Sequence, residues 1–322
     1  MKIVVTGGAG FIGSHLVERL LFLNHEVVVI DDLSTSQMSN LESIADNSKF
    51  SFIKGNILDN TLVDGVIQNC DYVFHLAASV GVFNIVNNPL SSLHTNIRGT
   101  ENIFESADKY KTPVFLASSS EVYGKNTSDA LGENDDRILG SPVTLRWSYS
   151  EAKAIDESLA YAYFVEKSLE TRIVRFFNTV GPRQLGAYGM VVPRFVRSAL
   201  ANEPLTIYGD GTQTRCFTHV YDVIDAVLAV AFSEKTTGKV VNIGNRSEIS
   251  ISDLAKKIIF ETKSKSKLQF IPYAEAYGNG FEDMERRVPD IDLIKNLVGW
   301  APQRDLNTII RDISTEMKKI SR

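Results

Sequence analysis

Short runs of apolar, β-branched residues alternate with longer amphipathic segments along the first half of the chain. The run Lys2–Thr6 leads into a glycine-rich turn, and the next segment places Leu16, Leu20 and Leu23 at helical spacing before a second run, Glu26–Ile30. This order of strand, turn, helix and strand is typical of a βαβ unit with parallel strands. The same pattern predicts four further strands and two helices, at Phe50–Ile53, Tyr72–Leu76, Val114–Ala117 and Thr171–Phe176, and at Thr100–Lys109 and Ser150–Glu166. Because runs this apolar are typical of strands buried on both faces, we predict an α/β fold with a doubly wound parallel sheet of about six strands.

The pattern changes after Asn178. Helical and strand segments become short and alternate singly, with helices at Val192–Ala201, Asp222–Phe232 and Ile251–Ile259 and strands at Leu205–Tyr208, Val240–Ile243 and Leu268–Ile271. We therefore predict a larger domain at residues 1–178 and a smaller α+β domain over most of residues 179–322. A segment near 213–243 is expected to return to the larger domain.

Composition and charge narrow the class of protein. The 322 residues suffice for two domains, and 43% hydrophobic with 23% charged residues is ordinary for a soluble globular protein. A net charge of −5 argues against a nucleic-acid partner, because binding to phosphate backbones needs clustered Lys and Arg. The partners are therefore expected to be small molecules.

The length of the apolar runs and the number of cysteines indicate where the protein is located. The chain has no apolar run of the roughly 18 residues that a membrane span needs, and its beginning does not resemble a signal peptide. Its two cysteines, Cys70 and Cys216, allow neither a disulfide framework nor a CxxC metal site. We expect a cytoplasmic protein with reduced thiols, no membrane contact and no bound metal.

A glycine-rich loop stands between the first predicted strand and the first helix, where Gly7, Gly10 and Gly13 have the spacing GxxGxxG. Such glycines permit a tight turn, close approach of a pyrophosphate and packing of helix on strand, while the helix N-terminus offers N–H groups to phosphate. Asp31 and Asp32 follow the second strand, about 20 residues onward, where a carboxylate accepts hydrogen bonds from the adenosine ribose and repels a 2′-phosphate. The first domain is therefore predicted to be a Rossmann domain that binds NAD rather than NADP.

A candidate acid–base pair lies at the start of the helix predicted near residue 150. Tyr149 and Lys153 are four residues apart, which places them on one helical face. A tyrosine with an ordinary pKa of about 10 needs a neighbouring cation to act as a base, and Lys153 is predicted to supply one. Ser119 and Glu121 follow the strand Val114–Ala117, at the carboxyl edge of the sheet where ligands of doubly wound folds bind. Ser119 is expected to share the proton chain of the tyrosine.

Several motifs together resemble one family over nearly the whole chain. They are the loop TGGAGFIG, His75–Ala78, Ser118–Gly124 (SSSEVYG), the Tyr149/Lys153 pair, Arg175–Arg183 (RFFNTVGPR) and Tyr208–Arg215 (YGDGTQTR). In combination they are similar to the extended short-chain dehydrogenases/reductases, the NAD-dependent nucleotide-sugar epimerases, dehydratases and decarboxylases.

Two stretches resemble the UDP-glucuronate decarboxylases in particular. Glu121 is similar to the acid of their Ser-Glu pair, and Tyr277–Trp300 is similar to their C-terminal region, where Arg287 matches an active-site arginine. The sequence departs from the family pattern at two places. Asn56 occupies a position where the family usually has an aspartate near the adenine, and Arg146–Tyr149 differs from the decarboxylases' lead-in to the tyrosine.

The resemblance implies a set of site residues. The cofactor would be bound by Gly7, Gly10, Phe11, Ile12, Gly13, Asp31, Asp32, Asn56, Ile57, Leu76, Ala77, Ala78, Asn96, Ser118, Tyr149 and Lys153. The catalytic residues would be Tyr149, Lys153, Ser119, Glu121 and Arg287. The nucleotide sugar, most often a UDP-sugar, would be bound by Asn178, Val192, Tyr208, Arg215 and Arg287.

The resemblance also implies a reaction through a 4-keto sugar. Tyr149 as phenolate would remove the C4 hydroxyl proton while NAD⁺ takes the hydride, Ser119 would bond the same oxygen, and Glu121 and Arg287 would position the ring and handle the proton at C5. We favour loss of CO₂ from UDP-glucuronate. A UDP-sugar 4-epimerase, a nucleotide-sugar 4,6-dehydratase and a non-catalytic NAD(H) sensor are the alternatives. A homodimer formed through the helices Thr100–Lys109 and Ser150–Glu166 is a further family expectation.

Overall fold

A computed structural model of the chain describes residues 1–186, 190–272, 275, 284 and 286–320. The strands are β1 Lys2–Thr6, β2 Glu26–Asp31, β3 Phe50–Lys54, β4 Tyr72–His75, β5 Val114–Ser119, β6 Thr171–Phe176, β7 Thr179–Val180, β8 Leu205–Tyr208, β9 Thr214–Cys216, β10 Thr218–His219, β11 Lys239–Ile243, β12 Glu248–Ser250 and β13 Leu268–Ile271. The α-helices are α1 Phe11–Phe22, α2 Asn60–Ile67, α3 Val82–Asn87, α4 Pro89–Leu93, α5 Gly99–Tyr110, α6 Ser148–Lys167, α7 Val191–Leu200, α8 Val220–Ala231, α9 Ile251–Thr262, α10 Asp292–Val298 and α11 Leu306–Ile320.

Seven strands form one parallel sheet in the order β11-β6-β5-β4-β1-β2-β3, with helices on both faces. Successive side chains of a strand point to opposite faces. In β1, Ile3 and Val5 pack with α1 and α8, whereas Val4 packs with α2, α5 and α6. All three side chains are fully buried. The predicted doubly wound sheet is therefore confirmed.

A second hydrophobic core lies in the later part of the chain. Strands β8 and β13 pair in parallel, and α7, α9 and α11 pack around them. Phe195, Leu254 and Ile310 form the centre of this core and are fully buried. The antiparallel pair β9–β12 sets Arg215 opposite Ile249, and the parallel pair β7–β10 joins Thr179 to Thr218.

Most predicted elements are confirmed to within a few residues. The predicted strand Val240–Ile243 is part of β11, which pairs with β6. The sheet therefore has seven strands, whereas about six were predicted. Leu76 lies just beyond β4, and Leu23 is the C-cap of α1. Helices α3, α4, α10 and α11 were not predicted. Residues 277–283 and 285 of the decarboxylase-like segment lie outside the described residues. Within the described ranges, every helix is too short or too polar to span a bilayer.

Candidate active site

A cavity of about 790 Å³ runs along the carboxyl ends of β1, β2, β4 and β5 and extends to residues of the second core. It is lined by every predicted site residue except Asn96: Gly7, Gly10, Phe11, Ile12, Gly13, Asp31, Asp32, Asn56, Ile57, Leu76, Ala77, Ala78, Ser118, Ser119, Glu121, Tyr149, Lys153, Asn178, Val192, Tyr208, Arg215 and Arg287. Residues that are far apart in sequence therefore meet at one site.

The glycine loop forms a cradle that a side chain would fill. Gly7 has φ +71°, in the left-handed region, and a Cβ there would lie 2.8 Å from the Ala77 amide nitrogen. A Cβ on Gly13 would lie 2.2 Å from the Gly7 carbonyl oxygen. Helix α1 begins after Gly10 without a side-chain cap, which leaves its first N–H groups available to a phosphate. These features fit the pyrophosphate of a dinucleotide.

Asp31 and Asp32 have different partners. Asp31 is 8% exposed and accepts hydrogen bonds from the Ala9 amide at 3.0 Å and the Ser36 hydroxyl at 2.6 Å, so it ties the glycine loop to the end of β2. Asp32 accepts from the Asn56 side-chain amide at 2.7 Å. Asn56 thus donates from its Nδ2 to Asp32, and its Oδ1 accepts from the Leu58 amide at 2.9 Å. The two carboxylates still line the cavity and fit the hydroxyls of a ribose.

Asn96 was expected to bind the cofactor, but it is not among the residues that line the cavity. It is 1% exposed, its Oδ1 accepts from the Ser79 amide at 2.8 Å, and its Nδ2 donates to the Ser79 carbonyl at 3.2 Å. Ser79 itself lines the cavity. Asn96 therefore acts on the site by holding the backbone at Ser79.

Tyr149 and Lys153 lie one turn apart at the start of α6, with Ser119 at the end of β5. Burial and the negative charges of Glu121 and Asp156 raise the pKa of Tyr149, while a hydrogen bond with Ser119 opposes this shift. Lys153 is 2% exposed and its Nζ donates to Asp156 at 3.1 Å, so its charge is compensated inside the helix. In the protein chain without ligands, the prediction that Lys153 lowers the pKa of Tyr149 is therefore wrong.

Glu121 is held between two arginines. Arg146 Nη1 donates to Glu121 Oε2 at 2.6 Å, and Arg287 Nη1 donates to Oε1 at 2.7 Å. Burial alone would raise the pKa of Glu121, but the charges and hydrogen bonds of Arg287 and Arg146 outweigh it and lower this pKa to about 2. Glu121 is thus ionised at neutral pH and has no proton to give to C5. It can position the sugar and accept hydrogen bonds.

A buried ion pair supports the end of β5. The Ser118 hydroxyl donates to Glu157 Oε1 at 2.5 Å, and Arg175 donates to both oxygens of Glu157 at 2.7 to 3.2 Å. Glu157 is on α6 and Arg175 on β6, so the pair fixes the helix that carries Tyr149 against the sheet. The sequence offered no spacing signal for it.

The far end of the cavity is lined by residues predicted to bind the nucleotide sugar. Asn178 Nδ2 donates to the Cys216 carbonyl at 3.0 Å, which places it beside Arg215 on β9. The guanidinium of Arg194 lies 4.5 Å from the ring centre of Tyr208 and lines the same cavity. Arg194 was missed because its place beside Tyr208 depends on the packing of α7 on β8.

Arg146 is the most informative residue that the sequence reasoning missed. It stands three residues before Tyr149, and the two residues share one side of a helical turn. That spacing was the available signal, and it was noted only as a departure from the decarboxylase pattern.

Comparisons with known proteins identify the family of this chain. The model of the NAD dependent epimerase/dehydratase family matches residues 3–244. A UDP-N-acetyl-alpha-D-glucosaminuronate decarboxylase of Bacillus cytotoxicus is 40% identical over 94% of this chain and 92% of that protein. UDP-glucuronic acid decarboxylase 1 of Danio rerio is 35% identical over 98% of this chain and 73% of its own length.

Solved structures show the same architecture. A UDP-glucuronic acid 4-epimerase from Bacillus cereus, in complex with UDP-glucuronic acid and NAD, superposes with a TM-score of 0.88 at 31% identity, over 99% of this chain and all of that one. A dTDP-glucose 4,6-dehydratase from Bacillus anthracis in complex with NAD gives 0.86 at 27% identity, over 99% of this chain and 97% of that one. These matches confirm the predicted resemblance and the predicted NAD cofactor. The chain belongs to the NAD dependent epimerase/dehydratase family.

Proposed function

We propose that this protein is an NAD-dependent decarboxylase of a UDP-linked hexuronate. The observation that carries the proposal is the cluster of Glu121, Arg146 and Arg287 beside Tyr149, because it brings guanidinium groups to the wall of the cavity where the sugar would lie. A carboxylate on C5 of the sugar complements these cationic groups. The two decarboxylases reported above act, by their names, on substrates of this class.

Oxidation at C4 of the sugar would involve the cofactor, Tyr149 and Ser119. NAD, when held by the glycine loop with Asp31 and Asp32, would supply a hydride acceptor at C4 and later a hydride donor. Tyr149 accepts the C4 hydroxyl proton as the base, and Ser119 hydrogen-bonds the same oxygen. Burial raises the pKa of Tyr149 in the chain alone, so the proton is transferred only once the site is assembled with its ligands.

Loss of CO₂ follows from the ketone at C4. A carboxylate on C5 is then β to a carbonyl, the bond between C5 and the carboxyl carbon breaks, and its electron pair forms an enolate with the charge on the C4 oxygen. The hydroxyls of Ser119 and Tyr149 stabilise that oxygen. Solvent water supplies the proton that C5 takes up, the hydride that the cofactor would return reduces the ketone at C4, and Tyr149 gives its proton back to the C4 oxygen. The product is a UDP-pentose.

The domains and assembly are also proposed. Residues 1–178 would hold NAD, since the glycine loop and Tyr149 lie there, and residues 179–322 would mainly hold the nucleotide sugar through Tyr208 and Arg215. A homodimer through α6 is supported by its exposed apolar side chains, among them Val165 at 58% exposure. A cytoplasmic location is supported by the two free thiols.

The test compares substrates. The purified protein is incubated with UDP-glucuronate, UDP-N-acetylglucosaminuronate, UDP-glucose, UDP-N-acetylglucosamine and GDP-mannose, and products are identified by mass spectrometry and NMR. We expect CO₂ and a UDP-pentose from a hexuronate, and a loss of roughly a thousandfold in rate with Tyr149→Phe. Tyr72→Phe is the matched control, since its hydroxyl donates to the Ala231 carbonyl far from the site.

The competing functions give different results. A 4-epimerase is the second candidate, because a UDP-glucuronic acid 4-epimerase has the same architecture. Conversion of UDP-glucuronate to its 4-epimer without CO₂ would replace decarboxylation by that reaction. Loss of water from UDP-glucose would indicate a dehydratase, and tight NAD(H) binding without turnover of any substrate would indicate a sensor.

A further inference from the structure

His75 is a buried histidine that takes no part in the proposed reaction. It is the last residue of β4, is 1% exposed and directly precedes residues 76–79, which line the cavity. Its Nδ1 lies 2.8 Å from the hydroxyl of Thr6 at the end of β1, and its Nε2 lies 3.1 Å from the hydroxyl of Thr100 on α5. Both threonines are fully buried. The imidazole therefore joins the end of β1 to α5.

The hydrogen bonds beyond the two threonines run to backbone groups, and they fix one proton of the ring. The Thr100 hydroxyl donates its proton to the Asn96 carbonyl at 2.5 Å, so Thr100 can only accept from His75. The Nε2 of His75 must therefore carry a proton. At the other end, the Thr6 hydroxyl oxygen accepts from the Ala77 amide at 3.1 Å, and its own proton is directed to Nδ1 of His75.

The imidazole in this chain is neutral. Burial, reinforced by the positive charge of Lys153, lowers the pKa of His75 to about 3, so its Nδ1 keeps a lone pair that accepts from Thr6. The charged groups that face the chain are Lys153 and Asp156 of α6, which pair with each other at 3.1 Å. Asp156 is also a hydrogen-bonding partner of Thr100. Because a carboxylate only accepts, this contact leaves the direction of the chain unchanged.

Both ends of the chain hold backbone that lines the cavity. A Cβ on Gly7 would lie 2.8 Å from the Ala77 amide nitrogen, and the N–H of that amide donates to Thr6. At the other end, the side chain of Asn96 bonds the amide of Ser79 at 2.8 Å and its carbonyl at 3.2 Å. Ala77 and Ser79 both line the cavity. The chain thus holds the segment 77–79 beside the glycine loop.

We propose that His75 is a positioning residue for the cofactor. As a neutral imidazole with its proton on Nε2, it holds residues 77–79 against the glycine loop through Thr6 and Thr100. A dinucleotide that binds at the loop then meets a wall that is already ordered, and this increases its affinity. The inference rests on the binding of NAD and not on the sugar or on the reaction at C4.

The protonation of His75 is tested by NMR on protein labelled with ¹⁵N in its histidines. The signals of His75 are identified by their absence in His75→Gln. We expect a neutral ring with its proton on Nε2 from about pH 8 down to about pH 5, below the ordinary pKa of a histidine. A proton on Nδ1 of the neutral ring, or an imidazolium within this range, would overturn the assignment.

The positioning role is tested by calorimetry of NAD binding to Thr6→Val and Thr6→Ser. Valine removes the hydroxyl and leaves the Ala77 amide and His75 Nδ1 without this partner, whereas serine retains it. The Kd of NAD should rise roughly fivefold or more in Thr6→Val and stay within about twofold of the wild type in Thr6→Ser.

Thr236→Val is the matched control, because it also removes a hydrogen-bonded hydroxyl from a fully buried threonine. Thr236 donates to the Val230 carbonyl at 2.6 Å and is not among the residues that line the cavity. This variant should lower the stability of the protein and leave the Kd of NAD unchanged. If Thr6→Val does not fold, Thr100→Val and Thr100→Ser make the same comparison at the other end of the chain.

The outcomes separate this inference from the proposed function. An unchanged Kd in Thr6→Val, or an equal rise in Thr236→Val, overturns the positioning role even if the wild type releases CO₂ from a hexuronate. A wild-type protein that binds NAD but releases no CO₂ contradicts the proposed function and not this inference. A Kd that rises with valine and recovers with serine, together with a neutral ring protonated on Nε2, supports the role of His75.

Discussion

Glu121 shows how two neighbours reverse the effect of burial on a single carboxylate. Burial by itself disfavours the charged form, and an unpaired carboxylate in this place would be neutral at a pH where it now carries its charge. The charges of Arg287 and Arg146 outweigh the effect of burial on the pKa of Glu121, because a nitrogen of each guanidinium lies within 2.7 Å of a carboxylate oxygen. Glu121 is therefore a fixed negative charge, while Tyr149 beside it keeps its proton in the chain alone.

The stability of the protein should depend on Glu121 in a pH-dependent way. Its pKa falls from 4.5 to about 2 on folding, so its ionised form stabilises the fold above about pH 4.5, and this contribution is lost as the pH falls towards 2. Glu121→Gln should lower the free energy of unfolding at pH 7 by about 3 kcal/mol, because two buried arginines lose their partner. Denaturant unfolding of both proteins at pH 7, 5 and 4 measures the difference, which should narrow below pH 4.5.

A surface carboxylate provides the control for that experiment. Glu101 lies exposed on α5, and Glu101→Gln should change the free energy of unfolding by less than about 0.5 kcal/mol at every pH. A difference between wild type and Glu121→Gln that stays constant from pH 7 to pH 4 would contradict the assigned ionisation of Glu121.

The sequence predicted which residues line the candidate site better than it predicted the ion pairs and hydrogen bonds that these residues make. Tyr149, Lys153, Ser119 and Glu121 were found because helical spacing and the carboxyl edge of a sheet are local properties of the chain. The compensation of Lys153 by Asp156, also local at a spacing of three residues, was overlooked. Contacts such as Glu121 with Arg287 join residues that are 166 positions apart, and no periodicity reports them.

At the scale of elements, the loop between β1 and α1 should control cofactor binding. Gly13→Ala would place a methyl group 2.2 Å from the Gly7 carbonyl oxygen and 2.8 Å from Gly8 Cα, both backbone atoms that cannot turn aside. The loop must therefore open, and the Kd of NAD should rise by roughly tenfold or more, a loss of about 1.4 kcal/mol. Calorimetry, with the dinucleotide content of the purified protein measured by mass spectrometry, checks this.

Gly65 offers a matched control for the same substitution. It lies inside α2, and a Cβ there meets no atom within 4 Å. Gly65→Ala should leave NAD affinity unchanged and stabilise the protein by about 0.5–1 kcal/mol, because alanine favours the helix. Equal NAD affinities in Gly13→Ala and Gly65→Ala would refute the assignment of the loop as the pyrophosphate site.

The elements that the sequence predicted are those whose pattern is set by burial on both faces. Strands such as β1 and β6 are short apolar runs, and such a pattern has few other interpretations. Helix α4 was missed because only five residues, Pro89–Leu93, belong to it. Helix α11 was overlooked, although Leu306, Ile309, Ile310 and Ile313 follow helical spacing clearly.

At the scale of the whole molecule, the cavity draws on both cores, so neither part of the chain completes the site alone. Gly7 and Tyr149 come from the large sheet and its helices, whereas Tyr208 and Arg215 come from the elements around the second core. Such a site depends on how the two parts are held together. The contacts of α8 support this arrangement, because Asp222 of α8 accepts from the backbone amides of Gln303 and Arg304 ahead of α11.

The proposed homodimer follows from the surface that α6 leaves uncovered. Ile155, Tyr161 and Val165 are 49%, 53% and 58% exposed, whereas α5 exposes acidic residues, so α6 is the better candidate for the centre of a twofold interface. Light scattering should give the mass of a dimer for the wild type, and Ile155→Glu with Val165→Glu should give that of a monomer. Phe260→Glu, which replaces a 78% exposed side chain on α9, should leave the dimer intact. A monomeric wild type, or a dimer that survives both changes on α6, would exclude this interface.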